Sequence, residues 1–267
     1  MRPKAVAAIV LRQVYLLRGS PVRVFPIVTW VGIDMVLWGF LTRYLNAVSA
    51  SGLNFVPTLL GAVLFWDFCI RIMQGVSTAF LEDVWSRNFL NLFSSPLSIA
   101  EYLTGLVLAS ILTSLLGLAT MLLIANGVFH LAFFALGVSL AAFLLVLFVF
   151  GITLGIAGCA IVLRYGPASE WLIWPLPALL SPFVGVFYPL GTLPSWMQAV
   201  GRALPPSYVF EGMRALIAGQ PLPGRLLAIG GALALVELLL AASLYARTYR
   251  RAVRTGLLAR YSAEGAS

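Results

Sequence analysis

Between Glu101 and Arg164 the chain runs for 62 residues without a single Asp, Glu, Lys or Arg. A helical crossing of a bilayer needs about 20 apolar residues, so a stretch this long predicts two crossings joined by a tight turn. Asn126-Gly127 supplies turn chemistry, which places the crossings near 102–125 and 131–163. The second is long enough to tilt or to project beyond the bilayer. Composition points the same way: 61% of the 267 residues are apolar, 10% are charged, and mean hydropathy is +0.99. Soluble domains carry about 25% charged residues. This balance excludes a soluble enzyme and a nucleic-acid-binding domain, although the pI is near 10.

Four further crossings follow. Val24 to Thr42 holds Asp34, Val56 to Phe80 holds Asp67 and Arg71, and Leu226 to Ala246 holds Glu237. A fifth span in chain order, near 171–190, carries Pro175, Pro177, Pro182 and Pro189 and is expected to be kinked or broken. The expected fold is therefore an all-α integral membrane protein with six transmembrane helices in one domain over 1–267. Its parts are an amphipathic N-terminal helix over 1–22, a six-span bundle over 24–246 and a basic tail over 247–267. With the N-terminus inside, twelve basic residues fall on the cytoplasmic side and four outside. Basic residues collect on cytoplasmic loops, so both termini are expected inside. The first residues do not form a secretory signal, because Arg12, Gln13 and Arg18 interrupt the apolar stretch.

Three segments outside the spans are amphipathic. On a helical wheel Lys4, Arg12 and Arg18 lie opposite Val6, Ile9, Val10 and Leu17, a pattern expected of a basic helix on the inner membrane surface. From Leu81 to Pro96, Trp85, Phe89, Leu92 and Phe93 recur at helical spacing among Glu82, Asp83, Arg87, Asn88 and Asn91. Such a helix either lies in the headgroup region or docks against a protein. On the outer side, Pro194-Ser195 starts a short helix over 195–204. Pro205-Pro206 breaks it, and 207–218 resumes with Glu211 and Arg214 three residues apart and Gly219 as a helix stop.

Several chemistries are missing from the sequence. No G-x-x-x-x-G-K-[ST] occurs, so no P-loop for ATP is expected in this chain. One histidine, His130, leaves no metal cluster and no nucleophile–base pair without recruiting it; no metal, cofactor or catalytic residue is expected. Cys69 and Cys159 lie in apolar runs and suggest neither a disulfide nor a zinc site. The intramembrane charges are more informative, because an isolated charge at the bilayer centre costs at least about 2.5 kcal/mol. Asp67 and Arg71, four residues apart, either neutralise each other and pin helix packing or line a pathway. Asp34 and Glu237 have no such neighbour on their own helices and either pair with Arg71, snorkel to a span end or face a water-filled cavity. Trp30, Trp38, Trp66, Trp171, Trp174 and Trp196 fit interfacial belts or the wall of a binding site. Gly151 and Gly155 form a G-x-x-x-G suited to close helix packing, within the chain or between copies.

The arrangement resembles the transmembrane subunits of ABC-2-type exporters, which move drugs, lipids and lipid-linked polysaccharides outward. Three features carry the likeness. One is the amphipathic helix before six spans. The second is the first cytoplasmic loop ending in Asn91-Leu92-Phe93-Ser94-Ser95-Pro96-Leu97-Ser98. The third runs from Phe187-Tyr188-Pro189-Leu190 through Leu193-Pro194 to Leu204-Pro205-Pro206 and Glu211-Gly212-Met213-Arg214-Ala215-Leu216. The resemblance implies two ABC-type ATPase subunits on separate chains, carrying ATP and Mg, and a second copy of this chain or a homologous permease. It implies a coupling helix formed by Glu82, Asp83, Trp85, Arg87, Phe89, Leu92 and Phe93 and seated in a cleft of the ATPase. It also implies an external re-entrant hairpin with Pro189, Pro194, Trp196, Pro205, Pro206, Glu211 and Arg214, and residence in a bacterial cytoplasmic (inner) membrane. Two other function classes are compatible with the residues: a membrane scaffold with no transport role, and an ion- or proton-coupled carrier titrating Asp34, Asp67 and Glu237. The inverted repeat that many such carriers show is not detectable here.

Overall fold

A computed structural model describes residues 1–48, 56–86, 88, 91–92, 95–131, 133, 137–221 and 223–256. All regular structure among them is helical. Helix α1 spans Pro3–Arg18, α2 Pro21–Val48, α3 Val56–Trp85, α4 Ile99–Phe129 and α5 Val138–Tyr165. A 3-10 turn at Pro167–Leu172 follows, then α6 over Leu176–Val184, a 3-10 turn at Leu190–Thr192, α7 over Ser195–Arg202, α8 over Pro205–Ile217 and α9 over Gly224–Arg254. Five of these helices (α2, α3, α4, α5 and α9) are long and apolar enough to cross a membrane.

The predicted fifth span at 171–190 is not one helix. Prolines at 175, 177 and 182 remove backbone donors, and α6 ends after nine residues at Gly185, whose φ is +64°. At 1.5 Å per residue such a helix reaches only about 13 Å, well short of the roughly 30 Å hydrocarbon core. Yet the chain must return across the bundle here, because α3, α5 and α9 run parallel. Phe143 packs on Phe65, Gly155 on Val76, Gly231 on Val146, and Tyr245 on Phe80. The stretch from Gly166 to Pro223 therefore carries the chain back in short pieces.

The turn expected at Asn126-Gly127 lies inside α4, whose last residue is Phe129; the chain reverses at His130, which has a left-handed φ of 57°. Phe129 is buried over Gly39 of α2, where any Cβ would collide with its ring. Seating that ring outweighs the ~1 kcal/mol that Gly127 costs in a helix. The following span accordingly begins at Val138, not 131.

The core is the seam of α3 with α4 and α5. Gly151 and Gly155 pack α5 on α3 so closely that an added Cβ would lie 2.8 Å from the Cys69 carbonyl oxygen and 2.8 Å from Val76 Cβ. The G-x-x-x-G thus acts within the chain. Trp66 is buried against Phe210 of α8 and belongs to no interfacial belt. By contrast, α2 and α9 leave most of their apolar surface uncovered.

Candidate functional site

At the α1 end of the bundle, charged residues join helices that are far apart in sequence. Arg12 of α1 forms an ion pair with Asp83 near the end of α3, with Nη1 also donating to Oδ2 at 3.1 Å. The same Asp83 oxygen accepts the Tyr102 hydroxyl of α4 at 2.8 Å. Asp83 is fully buried, so this carboxylate is compensated entirely by protein groups. The hydrogen bond to Asp83 raises the pKa of the Arg12 guanidinium further above its ordinary value, against the opposing effect of burial. Arg2 reaches Glu101 at 3.0 Å, and this hydrogen-bonded contact likewise raises the Arg2 pKa. Glu101 also completes a capping box with Ser98 at the start of α4. Arg23 of α2 pairs with Glu82 of α3 at 2.5 Å, and Trp85 Nε1 donates to Glu170 at 2.6 Å. Five links thus tie α1, α2, the start of α4 and the turn after α5 to one another and to the base of α3.

These contacts change the expected coupling segment. Leu81 to Trp85 do not begin a separate loop helix but complete α3. The helix continues because Asp83 and Glu82 find partners in Arg12 and Arg23. Asp83 is therefore unavailable to another protein, whereas Trp85 is about half exposed and Leu92 packs partly on the core. Arg87, Phe89 and Phe93 lie outside the described residues. Helix α1 differs from expectation too. Val6, Ile9 and Gln13 are buried, Ile9 over Gly105 of α4, and Arg12 turns inward. Its charged residues do not form one solvent face.

Beside this collar a cavity of about 640 Å³ opens among α1, α2, α3 and α4, with Trp174 closing one side. The Arg23–Glu82 pair contributes to its wall, as do Asp34, Arg71, Gln74 and Thr113. Asp67 and Arg71 do pair, at 3.2 Å on one face of α3, and Arg71 Nη1 also meets Gln74 Oε1 at 3.4 Å. Asp34 faces the cavity, while Glu237 on α9 does not line it. Trp30 and Trp174 also line the cavity.

The opposite end is held by α6, α7 and α8. Helices α7 and α8 form close to the expected positions, and Pro205 and Pro206 open α8 instead of preceding it, where prolines lose no bond. Gly219, at φ +77°, closes α8 with paired bonds from Gly219 to Leu216 and from Gln220 to Ala215. Glu211 and Arg214 pair at 3.0 Å; Glu211 accepts the Leu190 amide and Arg214 donates to the Gly185 carbonyl at 2.8 Å. This pair thereby clasps the turn that holds Pro189. Pro194 precedes α7, and Trp196 stands exposed with its ring edge-on to Phe183.

A family model for ABC-2 family transporter proteins matches residues 39–245. The chain belongs to this family. No curated protein matches it. An ABC-2 family membrane domain is a multi-pass permease of an ABC transporter: it is the transport subunit, not the ATPase, and it works with ABC ATPase subunits. The Gly166–Pro223 connection and the collar at the base of α3 both fall within or beside the matched segment. Sequence reasoning missed Arg2, Arg12, Arg23, Glu101, Tyr102 and Glu170. The Ser98-x-x-Glu101 capping box is a local signal for Glu101, but the tertiary partners lie 19 to 99 residues away, and no local spacing betrays those.

Proposed function

We propose that this ABC-2 permease is the membrane half of an ATP-driven exporter that moves an amphiphilic or hydrophobic substrate (a lipid, lipid-linked glycan or drug) outward. Two ABC-type ATPase chains dock at the α1 end, and ATP and Mg reside on them. The permease acts with a second copy of itself or a homologous permease in a bacterial cytoplasmic membrane, with both termini inside. The chain makes six crossings, the fifth being the broken path from Gly166 through α6, and the α7–α8 segment after it re-enters from the outer face. The observation that carries this reading is the family match across 39–245. The excess of basic residues at the α1 end supports the orientation.

Mechanically, the exposed Trp85 and the segment after it receive the push of ATPase closure. The Arg12–Asp83, Arg23–Glu82 and Trp85–Glu170 links pass it to α1, α2 and the base of α5. Because Arg23–Glu82 bridges α2 and α3 at the cavity wall, relative movement of those helices changes access to the cavity. The test is purification of the tagged chain in mild detergent from native membranes. Recovery of an ABC ATPase is expected, and Trp85→Ala or Phe89→Ala should lose it or uncouple ATP hydrolysis while insertion stays normal. Normal coupling in both variants would remove the role given to this segment.

A further inference from the structure

Two arginines and two carboxylates, Arg23, Arg71, Asp34 and Glu82, line the 640 Å³ cavity, but the arginines are engaged elsewhere than at Asp34. Arg71 is matched by Asp67 at 3.2 Å, and Arg23 by Glu82 at 2.5 Å. Asp34 remains. Among the described residues no hydrogen bond or ion pair within 4 Å engages its carboxylate, and the charge acting on it, Arg71, is already committed to Asp67. Trp30 lies one helical turn before Asp34 and lines the same cavity, with Trp174 in the wall as well. Carboxylate and indole faces together are the chemistry that recognises an organic cation. A second, independent feature also points to a ligand. Gln13 is buried, lines the cavity, and its amide Nε2 has no partner among the described residues. A buried donor left unmade costs about 1–3 kcal/mol, so an acceptor on the occupant would restore it.

We infer that this cavity binds an organic cation with an apolar body: its positive centre lies against Asp34 between Trp30 and Trp174, and a hydrogen-bond acceptor reaches Gln13. As a statement of substrate class it rests on the transport function proposed above. Binding itself needs no ATPase, so failure here and failure of ATPase docking are separate results. The volume suits one drug-sized molecule. Leu17, Pro26 and Ile27 supply apolar wall on the α1 and α2 sides.

The experiment uses the full chain in dodecyl maltoside, a non-ionic detergent that brings no ammonium group. Equilibrium dialysis compares tetraphenylphosphonium with tetraphenylborate, ions of matched shape and opposite charge. The expected result is saturable binding of one cation per chain and none of the anion. Asp34→Asn should weaken cation binding about tenfold or more, and Trp174→Ala about threefold or more. Glu237→Gln, a carboxylate outside the cavity, should leave it unchanged. Equal binding of the anion, wild-type affinity in Asp34→Asn, an equal loss in Glu237→Gln, or no saturable binding would each overturn the inference. Should Asp34→Asn yield no protein, the cation-over-anion preference of the wild type decides.

Discussion

Two of the acid–base pairs on helix α3 do different work. Asp67 and Arg71 are four residues apart and satisfy each other on one helix. Asp83, four turns further on, is satisfied by Arg12 from 71 residues away and by Tyr102 from a third helix. The first pair makes an intramembrane charge tolerable without fixing where any other helix sits. The second decides where α1 and α4 meet α3. A local pair is thus a solvation device, and a long-range pair is a mechanical joint.

Removing the joint should have the larger effect. Asp83→Ala strands Arg12, whose side chain is 29% exposed, and leaves the buried Tyr102 hydroxyl without its acceptor. The expected loss is about 3 kcal/mol, the low end for breaking a buried pair because Arg12 keeps some solvent. Unfolding in detergent measures it. Hydrogen exchange should in addition show α1 amides opening faster. Asp67→Ala should cost less, up to about 2.5 kcal/mol, because Gln74 already accepts from Arg71 and Asp34 shares the cavity. Exchange in α1 should not change. If the two variants loosen α1 equally, the distinction between device and joint is wrong. A double variant lacking both Asp34 and Asp67 should lose more than the sum of the single losses, since each carboxylate is the other's substitute.

The same contrast explains what could be read from residues alone. The uncharged run between Glu101 and Arg164 predicts two crossings, and α4 and α5 occupy it; the prolines from 175 to 189 predict a break, and α6 is nine residues long. Asp67–Arg71 follows from spacing. Asn126-Gly127 misleads because its turn chemistry is local, whereas Phe129 is buried by a glycine notch on α2. Arg12 falls on the basic side of a helical wheel, and a wheel holds no information about Asp83. The cavity was equally hidden, since Gln13, Asp34, Arg71 and Trp174 converge only after four helices and a connection have packed.

The mechanical role proposed for the Arg12–Asp83 joint requires the ATPase to engage the α1 end of the bundle, beside that joint. A photo-crosslinking residue introduced at position 85, and separately at position 196, in native membranes tests it most directly. An ABC ATPase should be captured covalently from position 85 and none from position 196. Capture from position 196, or from neither position, would contradict that role.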